Sequence, residues 1–178
     1  MSLYRWSNYY KLRTLLGYWN NIAKKYFVFV LNNIPDNYEC TQIHQVADRE
    51  KISDSIIKVI ADIKNRHETV CKGDIAVLFL DKQSYIYEVI PELENKINEQ
   101  FDWDVNISFR TKTSDSDKLF ISNINNAKGL EFPFVICFAL DLKRQKSFRN
   151  ALYTMMARSF LESHLIVNNG EKTEMMSN

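Results

Sequence analysis

Lys128, Gly129 and Glu131 stand together in the run Ala127-Lys-Gly-Leu-Glu-Phe-Pro133, and Arg149, Tyr153 and Arg158 follow in Arg149-Asn-Ala-Leu-Tyr-Thr-Met-Met-Ala-Arg158. A lysine ammonium is a compact cation suited to a phosphate or to a neighbouring carboxylate. Glycine permits a close backbone approach that any side chain would block. A glutamate carboxylate accepts hydrogen bonds, including those offered by sugar hydroxyls. A guanidinium is always charged and grips phosphate oxygens two at a time. The chain turns into the first of these runs through Asn123-Ile-Asn-Asn126, and carboxamides there can hydrogen-bond phosphates or base edges.

The elements that must position these residues are legible from periodicity. Leu12, Leu15, Leu16, Trp19, Ile22, Ala23 and Tyr26 recur at helical spacing over residues 9–25, and their aromatics read as core rather than as base-stacking platforms. Phe27–Leu31 is a short apolar run, and 32–38 is a turn-rich connector. Thr41–Val46 alternates as a strand, and Asp48 is placed to cap a helix bearing Ile52, Ile56, Ile60 and Ile63 on one face. Gly73-Asp74 breaks the chain before Ala76–Leu80, a continuous apolar run of the kind found in buried parallel strands. A helix with Tyr85, Val89, Ile90, Leu93 and Ile97 follows, then strands at Val105–Phe109, Leu119–Ile124 and Phe134–Leu140. A helix over Ser147–Phe160 and a strand at His164–Val167 complete the series. Helices and strands in turn, with two strands apolar on both faces, define an α/β layered domain. The polar stretch from Gly170 reads as a flexible tail, giving one domain over 1–169 and a tail over 170–178.

Length and composition agree with one globular unit: 178 residues, 46% hydrophobic and 25% charged. A net charge of +1 gives no global argument for nucleic acid, but its distribution does. Residues 1–35 hold Arg5, Lys11, Arg13, Lys24 and Lys25 with no acid, and Leu142–Leu161 hold Lys143, Arg144, Lys146, Arg149 and Arg158, again with none. Such acid-free basic stretches make local phosphate-binding footprints, Lys143 and Arg144 foremost because a motif lies beside them. Cys40, Cys71 and Cys137 are scattered, which points to a reducing cytoplasm and no structural metal. His44, His67 and His164 show no metal-ligand spacing either, and no run of 18 apolar residues exists to span a membrane. No Gly-x-x-x-x-Gly-Lys-Ser/Thr loop occurs in this sequence, so it carries no cradle of its own for a triphosphate.

The two islands, Ala127–Leu140 and Arg149–Val167, resemble the fifth and sixth signature motifs of UvrD/Rep-like superfamily 1 DNA helicases. The resemblance implies the second, C-terminal RecA-like domain of such an enzyme, with a mostly parallel central sheet flanked by helices. It implies that Lys128, Gly129 and Glu131 face ATP, with Glu131 on the ribose. Arg158 would be the arginine finger that reaches the γ-phosphate, a device worth about 10³–10⁵ in rate. Arg149 and Tyr153 fall on the family's first arginine and tyrosine. Asn123 and Asn125 stand where the family has the Thr and His that face single-stranded DNA, and Ala157 and Ser159 replace the residues flanking the finger. Near the start, Asn8-Tyr9-Tyr10 occupies the place of an Asn-Tyr-Arg, with Lys11 or Arg13 as the nearest cations. The expected partners are DNA and an N-terminal RecA-like domain of the same polypeptide, which would bring the phosphate loop and hold Mg²⁺. The parent would be a cytoplasmic DNA-dependent ATPase acting in DNA repair or a related process, and this chain alone would be inactive. Two other readings are an accessory RecA-like module that binds protein or nucleic acid without motor activity, and simple nucleic-acid binding through the basic stretches.

Overall fold

The computed structural model describes residues 41–47, 51–80, 84–108, 115, 117–139 and 145–168. The helix read at 9–25, the run Phe27–Leu31, the connector at 32–38, Asp48, Lys143, Arg144 and the tail from Gly170 lie outside them.

Six strands form one sheet: β1 (Thr41–Val46), β2 (Ile75–Phe79), β3 (Val105–Ile107), β4 (Leu119–Asn123), β5 (Phe132–Ala139) and β6 (Ser159–Asn168). Their order is β1-β6-β5-β2-β4-β3, and every pairing among them is parallel. The two continuous apolar runs of the sequence are β2 and β5, which lie side by side in the middle. All five residues of β2 are buried, because helices cover both of its faces.

Helix α1 (Ile52–Arg66) and helix α2 (Ser84–Phe101) cover one face, and α3 (Lys146–Met156) the other. On the first face Ile52, Ile56, Ile60 and Ile63 of α1 and Val89, Ile90, Leu93 and Ile97 of α2 pack on Ile75, Val77, Phe79, Ile136 and Phe138. On the second, Leu152, Met155 and Met156 pack on Ala76, Leu78, Val135, Cys137, Leu165 and Val167. Alternate residues of β2 and β5 therefore enter opposite cores, as a strand's period of two requires. Cys137 is one of these buried core residues. The proline in α2, Pro91, sits on its exposed side, where the backbone carbonyl left without an amide donor can meet water.

The last two elements differ from the periodicity. The helix stops at Met156 rather than Phe160, and the final strand starts at Ser159 rather than His164. Apolar spacing continues through Phe160, but pairing with β5 begins at Phe132 opposite Ser159 and draws residues 159–163 into the sheet. A long-range ladder has overridden a local pattern.

Candidate functional site

Strand β4 ends level with the top of its neighbours, Asn123 and Phe138 both lying opposite Phe79 of β2. The chain must then return to the bottom of the sheet to begin β5 at Phe132. From Phe138 back to Phe132 is six residues of strand, about 20 Å. The segment Ile124–Glu131 covers this descent without a helix, whereas most parallel crossovers take a dozen residues or more.

Specific contacts hold the segment in that path. The Asn123 side-chain oxygen accepts the backbone N–H groups of Asn125 (2.9 Å) and Asn126 (3.1 Å), turning the chain off the strand. Ile124 N–H donates to the Phe79 carbonyl at 3.3 Å. Ala127 is 1% exposed and packs into the core under α3, so only a small side chain fits there. Leu130 N–H then donates to the Ala127 carbonyl at 3.2 Å, closing a four-residue turn with Gly129 in its third position at φ +81°. That position in a turn of this kind requires a left-handed backbone, which glycine supplies without strain. A Cβ built on Gly129 meets nothing within 4 Å, so within the chain the glycine answers a backbone angle and not a close approach. Gly129→Ala is expected to lower unfolding stability by about 1–2 kcal/mol, read as a reduced urea midpoint with unchanged slope.

At the bottom of the sheet the two motifs meet. Phe132 N–H donates to the Arg158 carbonyl at 2.9 Å, and Phe132 lies opposite Ser159. Glu131 and Arg158 therefore precede a matched pair on adjacent strands and emerge side by side. Glu131 is exposed and Arg158 partly so. Arg158 sits in the turn after α3, where its own N–H bonds the Met155 carbonyl at 3.2 Å, and not within the helix read over Ser147–Phe160. Ser159 anchors this turn: its hydroxyl lies 3.2 Å from the Pro133 carbonyl and also contacts the Glu162 carbonyl. Arg149 and Tyr153 are one helical turn apart on α3, Arg149 partly buried and Tyr153 exposed.

The site residues read from the sequence thus divide between two ends of the sheet. Glu131 and Arg158 share the end where β5 and β6 begin, with exposed Lys128 and Gly129 just before them. Asn123, partly buried, and Asn125, exposed, mark the end where β4 finishes, about 20 Å away along the strand direction. Among the described residues no group of three or more His, Cys, Asp or Glu is arranged to hold a metal ion. No helix among them is long and apolar enough to cross a membrane.

A polar cluster that motif spacing did not announce lies on the α1 face. Glu162 of β6 receives both terminal nitrogens of Arg66 at 2.8 Å, with Arg66 Nε on Asp62 at 2.9 Å. His67 Nε2 donates to Glu162 Oε1 at 3.0 Å, and its ring lies against Phe134 with centroids 4.9 Å apart. Burial opposes charge on Glu162, but the nearby His164 ring and the donors on Arg66 and His67 outweigh it and hold the carboxyl far below its ordinary value. The one sequence sign of this cluster is an acid in the middle of the apolar alternation of β6.

The parallel sheet, covered by helices on both faces, thus carries a Lys-Gly-x-Glu turn beside an arginine turn. Residues 118–166 match the family model of the UvrD-like helicase C-terminal domain. The matched span runs from the start of β4 into β6 and includes both motifs. Among solved structures, the chain is similar to the C-terminal domain of a possible DNA helicase from Lactobacillus plantarum WCFS1. That similarity has a TM-score of 0.55 at 16% identity and covers 78% of this chain and 79% of that one. At this identity the likeness speaks for the fold. No curated protein matches the chain.

Proposed function

We propose that residues 1–169 form the second motor domain of a UvrD-like DNA helicase and complete an ATPase site shared with an N-terminal RecA-like domain. The observation that carries this reading is the hydrogen bond from Phe132 N–H to the Arg158 carbonyl, which sets Glu131 and Arg158 next to each other at one end of the sheet. A ribose acceptor and a γ-phosphate cation have to converge on one nucleotide. Strand register brings two motifs separated in sequence side by side, which supports such a convergence. In this reading Glu131 accepts from the ribose hydroxyls, Lys128 and Gly129 border the nucleotide, and Arg158 stabilises charge on the transferring phosphoryl group. The N-terminal domain contributes the phosphate loop and the Mg²⁺ ligands, and ATP is the nucleotide. Asn123 and Asn125, at the opposite end, contact single-stranded DNA together with Lys143 and Arg144. Opening and closing of the nucleotide cleft then alternates the grip on DNA, in a cytoplasmic enzyme of DNA repair or a related process.

The test begins with the native polypeptide, detected in source-cell lysate by an antibody to this chain. A band several-fold heavier than 21.0 kDa, with ATP turnover stimulated by single-stranded DNA, is the expected result. Turnover by the 178-residue chain alone would count against a shared site. The DNA contribution has its own check. Charge reversal at Lys143 and Arg144 should weaken single-stranded DNA binding and reduce the slope of log affinity against log salt by about 0.7 for each lost phosphate contact. An unchanged slope would remove these two residues from the interface.

One observation favours a second reading. The Asn123 side-chain oxygen is engaged in the turn that leads off β4, a structural role that stands whether or not DNA binds. With Ala157 and Ser159 flanking Arg158, this supports an accessory RecA-like module that binds protein or nucleic acid without motor activity. A native band at 21.0 kDa, with no phosphate-loop domain in the same polypeptide, selects it.

A further inference from the structure

The chain has three histidines: two lie on one carboxylate, and the third is paired with one of those two. His67 is on Glu162 Oε1, while His164 Nε2 lies 3.4 Å from Glu162 Oε2. At that distance His164 Nε2 is drawn to the carboxylate without a well-formed hydrogen bond, and it is buried with no other partner. The other ring nitrogen, His164 Nδ1, is 3.1 Å from His44 Nε2 of β1, with the two rings stacked at 5.4 Å.

The carboxylate fixes which nitrogens carry hydrogen. Glu162 only accepts, so a hydrogen belongs on His164 Nε2. A neutral His164 then has its lone pair on Nδ1, and His44 must donate to it from Nε2. One added proton can be held: His164 becomes an imidazolium that donates to Glu162 on one side and to a neutral His44 on the other. A second cannot, because two N–H groups would then face each other across 3.1 Å inside the protein. His164 is 0% exposed and has no route by which to turn its charge to water.

We propose that His44, His164 and Glu162 form a proton-counting latch between β1 and β6, closed with up to one added proton on the imidazole pair and opened by the second. The latch lies at the boundary of the sheet described, where His44 stands opposite Ile166 and Gln42 opposite His164. Among the described residues, the charged and titratable groups facing it are Asp62 and Arg66 of α1, His67 just beyond α1, and Glu162 on β6 itself. Asp62 favours a charged His44, but burial and the His164 ring weigh more, and together they lower the His44 value below its ordinary 6.5. A depressed folded-state value means that the unfolded chain takes up the proton first. The part of the latch's contribution that rests on an uncharged His44 is therefore complete above pH 6.5 and is lost as pH falls below it. Glu162 adds a separate, lower window beginning at its ordinary 4.5.

The experiment is a pH titration of the isotope-labelled 178-residue chain by NMR, following the three imidazoles and the exchange of the β1 and β6 amides. The expected result is a neutral His44 ring at pH 7.5, carrying its hydrogen on Nε2 if the pair is uncharged or on Nδ1 if His164 holds one proton. Its protonation should come below 6.5, in step with a loss of amide protection over Thr41–Val46 of about tenfold per pH unit. A His44 that charges at or above 6.5, or that charges without change in β1 protection, overturns the proposal. The variant His44→Gln supplies the comparison, since its carboxamide can donate to His164 Nδ1 and does not titrate. Its β1 protection should stay flat between pH 7.5 and 5.5, and a pH response equal to that of the wild type also overturns the proposal. Should the variant not fold, the wild-type titration decides alone.

Discussion

If the chain belongs to the longer, phosphate-loop-bearing polypeptide proposed above, Arg158→Ala in it is expected to lower DNA-stimulated ATP turnover by about 10³–10⁵ with little change in nucleotide affinity. An arginine that acts on the transferring phosphoryl group does most of its work where charge develops, so its loss should fall on kcat and largely spare KM. The substitution should leave the fold intact. Arg158 holds its turn through backbone atoms, its carbonyl accepting from Phe132 N–H and its own N–H bonding the Met155 carbonyl, and these remain in alanine. Lysine at 158 should restore little, because it replaces a planar fork of donors by a single ammonium. Steady-state ATPase with and without single-stranded DNA, alongside binding of a non-hydrolysable ATP analogue, checks the split. A fall of less than tenfold, with thermal stability unchanged, would relegate Arg158 to a surface residue and favour the accessory-module reading.

Glu162→Ala should give the largest loss of stability of any single polar substitution described here, about 2–3 kcal/mol. Removing one member of a fully buried pair costs roughly 3–5 kcal/mol because the partner's charge is stranded. The lower figure applies because the Arg66 side chain is 35% exposed and recovers part of its hydration. Glu162→Gln separates charge from shape. Because the folded-state value of Glu162 is depressed, its contribution is present above 4.5 and declines as pH falls below that point. Wild type and Glu162→Gln should therefore differ most in urea midpoint near neutral pH and converge towards pH 3. Parallel curves over that range would show that the carboxylate charge contributes nothing.

The order and type of the elements were legible in the sequence because local physics dictates them. Isoleucines spaced three or four apart made α1, and the uninterrupted apolar runs of β2 and β5 announced strands covered on both faces. Gly129 was legible as a special residue, but the left-handed turn that calls for a glycine there was not. The motif residues were nameable for the same reason, as a contiguous run of chemical types with known uses.

Only the tertiary structure decided which of those residues share a place. Strand register joined Glu131 to Arg158 and set Asn123 and Asn125 at the opposite end, and no spacing along the chain encodes register between strands 26 residues apart (Phe132 and Arg158). The same ladder cut α3 short at Met156 and lengthened β6 back to Ser159, against the apolar period. The histidines were invisible as a group because the positions that unite them, 44, 67, 162 and 164, belong to three separate parts of the chain. Periodicity is a property of one segment and its face. Which faces and ends come together depends on long-range pairing, whose free energy exists only once the sheet has closed around its two cores.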